Sequence, residues 1–176
     1  MEFSYDLKVP KDRIAILLGV KGSVKKSIEK DLNIKMTVDS KEGDVVLEGD
    51  DSLSLMTAQN IVKAISRGFN PEIAFELINE NNYLEVISLE DYAGDSKAKF
   101  IRLKARVIGT DGKARKTIEK LTSTTSVVYG KTISIIGDYG GVALARRAFE
   151  ALLSGSRHSA VYSFLEKNRK NLKFSL

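Results

Sequence analysis

One stretch of this sequence occurs twice. Gly19-Val20-Lys21-Gly22-Ser23-Val24-Lys25-Lys26-Ser27-Ile28-Glu29-Lys30 returns 90 residues later as Gly109-Thr110-Asp111-Gly112-Lys113-Ala114-Arg115-Lys116-Thr117-Ile118-Glu119-Lys120. Both glycines, one lysine and the closing Ile-Glu-Lys coincide, and an apolar pair precedes each copy, Leu17-Leu18 and Val107-Ile108. Further on, Ala64 to Gly68 resembles Ala151 to Gly155 at a spacing of 87, as a shorter loop in the second copy would give. An internal repeat constrains the fold more than any composition figure, because the chain must then be built from two related units.

The same order of elements can be read in both units. Phe3 to Lys8 alternates and predicts a strand, Lys11 to Leu18 a helix stopped by Gly19, and Ser23 to Asp31 a second helix. Ile34, Met36 and Val38 alternate, as do residues 44–48, with Ser40 to Gly43 as the hairpin loop between them. A long helix over residues 51–67 follows, with Asp50 or Asp51 as its cap. In the second unit the matching pieces are a strand over 83–89, helices over 96–108 and 113–122, and strands over 126–129 and 132–136 around a Gly130-Lys131 turn. A closing helix from Tyr139 or Gly141 to Leu153 completes it. Asn70-Pro71 starts a connecting helix to about Asn79, and a last helix over 159–171 has no counterpart in the first unit. The expected division is residues 1–69, a connector 70–82, residues 83–156, and a C-terminal helix within 157–176 that packs on the second unit.

Charge separates the two halves. Residues 1–78 carry 11 basic and 13 acidic side chains, net −2, whereas residues 79–176 carry 17 and 10, net +7. A polyanion is therefore expected to prefer the second half. Cysteine is absent and there is one histidine, His158, so thiolate chemistry and a His or Cys metal site are excluded. No cofactor or metal is expected. No segment has the roughly 20 apolar residues of a membrane span, and the N-terminus has no signal-peptide pattern, so the expectation is a cytoplasmic protein without membrane association. Aromatics are 7% and Trp is absent, which argues against broad base-stacking platforms.

The physical sense of Gly-x-x-Gly lies in what its glycines permit. The first lets a helix end in a left-handed conformation, and the second lets another molecule approach the backbone. The next helix starts at once, so its amides and the positive end of its dipole are aimed at an anion. Lys21, Lys25 and Lys26 in the first copy, and Lys113, Arg115 and Lys116 in the second, add charge there.

The order strand–helix–GxxG–helix–strand–strand–helix resembles the type I KH fold. The resemblance implies an α+β protein of two tandem KH domains, each a three-stranded antiparallel sheet with three helices on one face, plus the extra C-terminal helix. KH domains clamp about four nucleotides with this loop and read bases in a groove beside it. The resemblance thus implies RNA-binding residues Arg106, Val107, Ile108, Gly109, Thr110, Asp111, Gly112, Lys113, Arg115, Lys116, Ile118 and Val127 in the second domain, with Ala114 beside them. Leu18, Gly19, Val20, Lys21, Gly22, Lys25 and Lys26 are the set in the first, where Leu17, Val24, Ile28 and Met36 are groove counterparts. Two departures stand out. Lys25 and Arg115 occupy positions where KH sequences commonly place Ile, and Asp111 puts a carboxylate inside the loop, where capping the following helix is the expected role.

More closely, Ile108 to Lys113, Thr117-Ile118-Glu119, Thr132 to Gly137, Ala145-Arg146-Arg147, Leu153 to Ser156, Val161-Tyr162 with Leu165, and Gly68-Phe69-Asn70-Pro71 resemble the partner-of-Nob family, in its compact archaeal form. That resemblance implies a small-ribosomal-subunit assembly factor that is not an enzyme. It would bind the 3′ region of small-subunit rRNA, with a Nob-type endonuclease as partner and the alpha subunit of initiation factor two as another.

Alternatives are a protein-docking adaptor, for which the acidic stretch 39–51 is the candidate face, and a general KH RNA regulator or RNA-degradation cofactor. Asp50-Asp51 reads as a helix cap, His158 as an exposed or capping residue, Arg146-Arg147 as a solvated face or a remote RNA contact, and Glu29 and Glu119 as helix ion-pair partners of Lys25 and Arg115. No P-loop and no nucleophile–base set is present.

Overall fold

The computed structural model describes the backbone of residues 1–174 and the side chains of residues 1–170; the end of the expected segment 157–176 lies outside the described residues. The chain forms two compact units that meet between Asn79 and Glu80.

In the first unit, β1 (Phe3–Lys8), α1 (Lys11–Leu18), α2 (Ser23–Leu32), β2 (Lys35–Asp39), β3 (Asp44–Gly49) and α3 (Ser52–Ser66) follow the expected order within a residue or two. The sheet is antiparallel in the order β1-β3-β2. Met36, Val45 and Leu47 point to one side and are fully buried, as are Leu17, Ile28, Leu55 and Ile61 from the helices packed there. Removing any of these large side chains would cost about 2–5 kcal/mol. Asp51 caps α3: its carboxylate accepts from the amides of Leu53 and Ser54 and from the Ser54 hydroxyl at 2.6 Å.

The connector is helical over the expected stretch but changes pitch within it. Helix α4 spans only Pro71–Ala74, and Phe75–Ile78 tightens into a 3₁₀ turn that, with α4, packs on α3. Leu77 and Ala74 are buried, so packing of apolar side chains shapes this segment more than helix propensity does.

The second unit repeats the plan with β4 (Asn82–Ser88), α5 (Glu90–Ala93), α6 (Lys97–Ile108), α7 (Lys113–Thr122), β5 (Thr125–Tyr129), β6 (Thr132–Asp138), α8 (Tyr139–Leu153) and α9 (His158–Phe174). Its sheet order, β4-β6-β5, matches the first. Ile87, Ile133 and Ile135 face Val107, Ile118, Val142 and Phe149, so the helices cover one face of the sheet. Gly141 opens the first turn of α8 where any Cβ would meet the Thr122 carbonyl, which is why this helix can start so close to the end of α7. The short α5 is not legible in the sequence as a separate element. Helix α9 buries Val161 and Leu165, four apart, against α7 and α8.

Candidate nucleic-acid interface

Both Gly-x-x-Gly loops adopt one backbone. Gly19 and Gly109 have φ 74 and 75 and ψ 175 and 174. Lys21 and Asp111 are left-handed at φ 53 and 55, and Gly22 and Gly112 are left-handed at φ 74. The first glycine of each pair has a second reason to be glycine. A Cβ on Gly19 would stand 2.7 Å from the Val24 amide nitrogen, and one on Gly109 2.7 Å from that of Ala114. Around Gly112 the nearest atom to a Cβ is Lys116 Cε at 3.6 Å, so that face is open to an incoming molecule. Thr110, Asp111, Lys113 and Lys116 are all exposed around it.

The loop also uses some of its own donors. The Gly112 amide donates to the Gly109 carbonyl at 3.2 Å and the Lys113 amide to Thr110, so these two are not aimed outward. Asp111 does not cap α7, contrary to expectation. The capping position falls on Gly112, whose left-handed backbone leads directly into the helix, and no side chain accepts there. The Asp111 carbonyl instead lies 3.5 Å from Lys116 Nζ, as the Lys21 carbonyl lies 3.3 Å from Lys26 Nζ.

The expected groove residues divide. Ile108, partly buried, lies against the core beside the loop. Val107 and Ile118 are fully buried, hold α6 to α7 and are not groove walls; Ala114 is nearly buried and reaches the surface only at a cleft on the other side of the loop. Their counterparts Leu17, Ile28 and Met36 are equally buried, while Leu18 and Val24 are intermediate and Val20 is 81% exposed. Val127 faces away from the helices: strand residues alternate, and Val128 is the one packed on the helix-side core.

Arg115 lies in the gap between α7 and β5. Its Nη1 donates to Glu119 Oε1 at 2.7 Å and to the Ser126 carbonyl at 3.0 Å. Glu119 also accepts from the Ser126 amide at 2.7 Å, and Glu29 accepts from Met36 N at 2.8 Å in the first unit. The repeated glutamate is thus more than an ion-pair partner; it pins the helix to the start of the next strand. Since Ser126 directs its amide and carbonyl toward α7, Val128 two residues on directs its own the same way along this edge strand. Lys104, which the sequence reading missed, reaches across this side to the Gly130 carbonyl at 3.4 Å. Its helical spacing from Ile108, one turn on, is the signal that could have found it.

Arg106 has a structural task. Its Nε donates to the Leu152 carbonyl at 2.9 Å and its Nη2 to that of Ser156, which ties α6 to the end of α8. Arg13 does the same in the first unit, reaching Ile65 and Phe69 carbonyls at 2.8 Å each. Arg146 is held by Glu150 and by Glu85, and first the hydrogen bond to Glu150, then the charge of Glu85, keeps its guanidinium more firmly protonated than usual against the opposing effect of partial burial. Arg147 lies over the Phe164 ring at 4.6 Å. His158 is half-buried, with Nε2 2.9 Å from the Arg106 carbonyl. A carbonyl only accepts, so Nε2 carries the proton. Among the described residues no helix is long and apolar enough to cross a membrane, and no cluster of His, Cys, Asp or Glu is placed to hold a metal.

Residues 83–170 match the family described as eukaryotic type KH-domain (KH-domain type I), in the form of the second such domain of PNO1. A KH domain-containing protein of Methanocaldococcus jannaschii is 47% identical over 171 residues, which cover 95% of this chain and 74% of that one. The RNA-binding protein pno-1 of Caenorhabditis briggsae is 31% identical over 163 residues, 89% of this chain; the match spans 59% of the nematode protein. Among solved structures, the complex of a/eIF2alpha, aDim2p and rRNA from Pyrococcus horikoshii contains a chain that superposes with a TM-score of 0.88 at 43% identity, covering 96% of this chain and 95% of that one.

Proposed function

The chain belongs to the PNO1/Dim2 family of KH-domain proteins, and from that premise we propose that it binds single-stranded RNA during assembly of the small ribosomal subunit. Both units are read as type I KH domains, and the second, residues 83–156, as the main clamp. Its target is the 3′ region of small-subunit rRNA. Holding that strand is its task, while cutting is left to a Nob-type endonuclease partner.

The observation that carries this reading is the Gly109 to Gly112 loop. Its backbone is left-handed at both Asp111 and Gly112, the outer side of Gly112 is open, and Lys113 and Lys116 stand exposed beside it. A phosphate can approach the Gly112 backbone as closely as a missing Cβ allows, and the cations neutralise it. Bases then lie along Ile108 and the outward edge of β5, where Val128 offers an amide and a carbonyl, beside Arg115, whose guanidinium is held by Glu119 and the Ser126 carbonyl. The first loop has the same backbone in a unit of net charge −2, which favours a secondary role for it.

The test is equilibrium binding of a single-stranded oligonucleotide with the sequence of the rRNA 3′ end. Affinity is expected to exceed that for duplex RNA and to fall as salt rises, with a logarithmic slope of about −0.7 for each phosphate neutralised. Gly112→Asp should remove most of it with the fold intact, and undiminished binding by that variant would overturn the assignment.

The acidic character of the first unit supports a second reading for that half alone, as the docking site for a protein such as the alpha subunit of initiation factor two. Within the stretch 39–51, Asp44 and Glu48 are already paired with Lys8 and Lys35, and Glu42 is exposed. Glu42→Lys should weaken capture of that subunit by the full chain without changing RNA affinity; unchanged capture would count against the acidic face.

A further inference from the structure

A cleft of about 550 Å³ adjoins the second loop on the side away from β5, between α6 and α9. Arg102, Gly109, Thr110, Lys113, His158 and Tyr162 are among its walls. Arg102 and Lys113 are exposed, whereas His158 and Tyr162 are half-buried. The two rings stand edge to face with centroids 6.2 Å apart, and the His158 hydrogen bond to the Arg106 carbonyl fixes the first turn of α9 beside the loop.

Its composition sets it apart from the corresponding place in the first unit. Across the repeat, Arg102 and Lys113 correspond to Asp12 and Ser23, and α9 with its two rings has no counterpart. What distinguishes the second loop from the first is therefore concentrated in this cleft. Two exposed cations, beside a third, Arg106, that is tied to carbonyls, and two aromatic rings on α9 suit a charged, planar ligand, the chemistry of a nucleotide. Gly109, Thr110 and Lys113 belong both to the loop and to the cleft, so a strand leaving the loop on this side enters it directly.

We propose that this cleft is a further RNA subsite, in which one nucleotide beyond those held at the loop and β5 places its phosphate between Arg102 and Lys113 and its base against Tyr162. The inference rests on the reading of the loop as an RNA clamp. An acidic peptide would meet the cations but would leave the rings without a planar partner, and continuity with the loop favours RNA.

The test uses the full chain and three oligonucleotides: a non-repetitive tetramer from the rRNA 3′ end, which sets the register, and hexamers that extend it by two uridines at the 5′ or at the 3′ end. One hexamer is expected to bind about tenfold tighter than the tetramer, as one added stack and phosphate contact would give. The double variant Arg102→Gln, Tyr162→Leu should lose that gain while tetramer affinity stays within about twofold. Circular dichroism verifies folding. Equal affinity of both hexamers and the tetramer for the unaltered chain overturns the subsite, as does a double variant that keeps the full gain. A glutamate-rich peptide that binds the unaltered chain, loses binding in the double variant and leaves the hexamer gain untouched would reassign the cleft to protein. Gly112→Asp separates the two levels of the argument: if it leaves tetramer binding intact, the clamp itself is misplaced, whatever the cleft does.

Discussion

The two units carry the same loop on different ground. From Gly19 to Gly22 and from Gly109 to Gly112 the backbone angles given above agree within a few degrees, and the glutamate seven residues beyond each second glycine makes the same bond to the following strand. Even the tether that holds the first helix is reproduced. Arg13 and Arg106 bond to carbonyls at matching places after the closing helices, although the arginine has moved one helical turn along the sequence. What differs is the surface. Val20-Lys21 becomes Thr110-Asp111, Asp12 and Ser23 become Arg102 and Lys113, and a helix is added after the second unit. Backbone geometry is therefore preserved by internal packing, whereas affinity for a polyanion is set by side chains that packing does not control.

The sharpest way to break this comparison is to place the same charge in both loops. Gly112→Asp should weaken RNA binding about 100-fold, as two lost charge-assisted contacts would. Gly22→Asp should change it less than about threefold, because phosphate neutralisation is concentrated in the basic half. Fluorescence anisotropy reads both, and equal losses would make the two loops functionally equivalent. Next in size is stability. Gly19→Ala and Gly109→Ala put a Cβ against the next helix start at a strained positive φ, so each should cost about 2 kcal/mol in urea unfolding. A clear inequality would mean that one loop can relax and that the shared geometry is not equally enforced.

The arginine tethers follow. Arg13→Met and Arg106→Met keep most of the side-chain volume but remove two hydrogen bonds to carbonyls, of which Ile65 and Leu152 keep a backbone donor, and each should cost about 1–2 kcal/mol. RNA affinity should survive both changes; a large loss for Arg106→Met alone would return that residue to the binding surface. The smallest effect concerns helix caps. Ser54, through its hydroxyl and its amide, holds the Asp51 carboxyl below its ordinary value. A lowered folded-state value means that the ionised cap contributes stability above the unfolded-chain value near 3.8, and that this contribution is lost as pH falls through the lower folded value. Asp51→Asn should therefore trail the unaltered chain in Tm by a degree or two at neutral pH, with the gap closing toward pH 2. A gap that persists at pH 2 would show that the cap acts through shape and not through charge.

Much of this was legible from the chain alone, and the failures have causes. Helix boundaries were readable where a glycine or a capping aspartate marks them, as at Gly19, Gly109 and Asp51. The connector was readable as a helical segment from Pro71 to about Asn79, but not its tightening into a 3₁₀ turn from Phe75, which follows from packing on α3 with Leu77 and Ala74 buried. At the site, the loop was readable because its glycines are required by φ and by close approach. The groove walls were not. Val107 and Ile118 are apolar and near the loop in sequence, but apolarity does not say whether a side chain faces the groove or the core. Val127 was misplaced by one residue of strand alternation, which reverses the face.

The repeat, the order of elements and the concentration of positive charge in the second half follow from the amino-acid sequence by itself, since each depends on local backbone preference or on simple counting. Which cations are free to meet a ligand was decided only by the tertiary structure. Arg106, Arg115 and Arg146 look alike in sequence, and each is engaged by carbonyls or carboxylates brought from 11 to 61 residues away. Arg102 and Lys113 are left facing a cleft that exists only because α9 folds back beside the loop. A charge takes its role from the partners that folding places next to it, and those partners are distant along the chain.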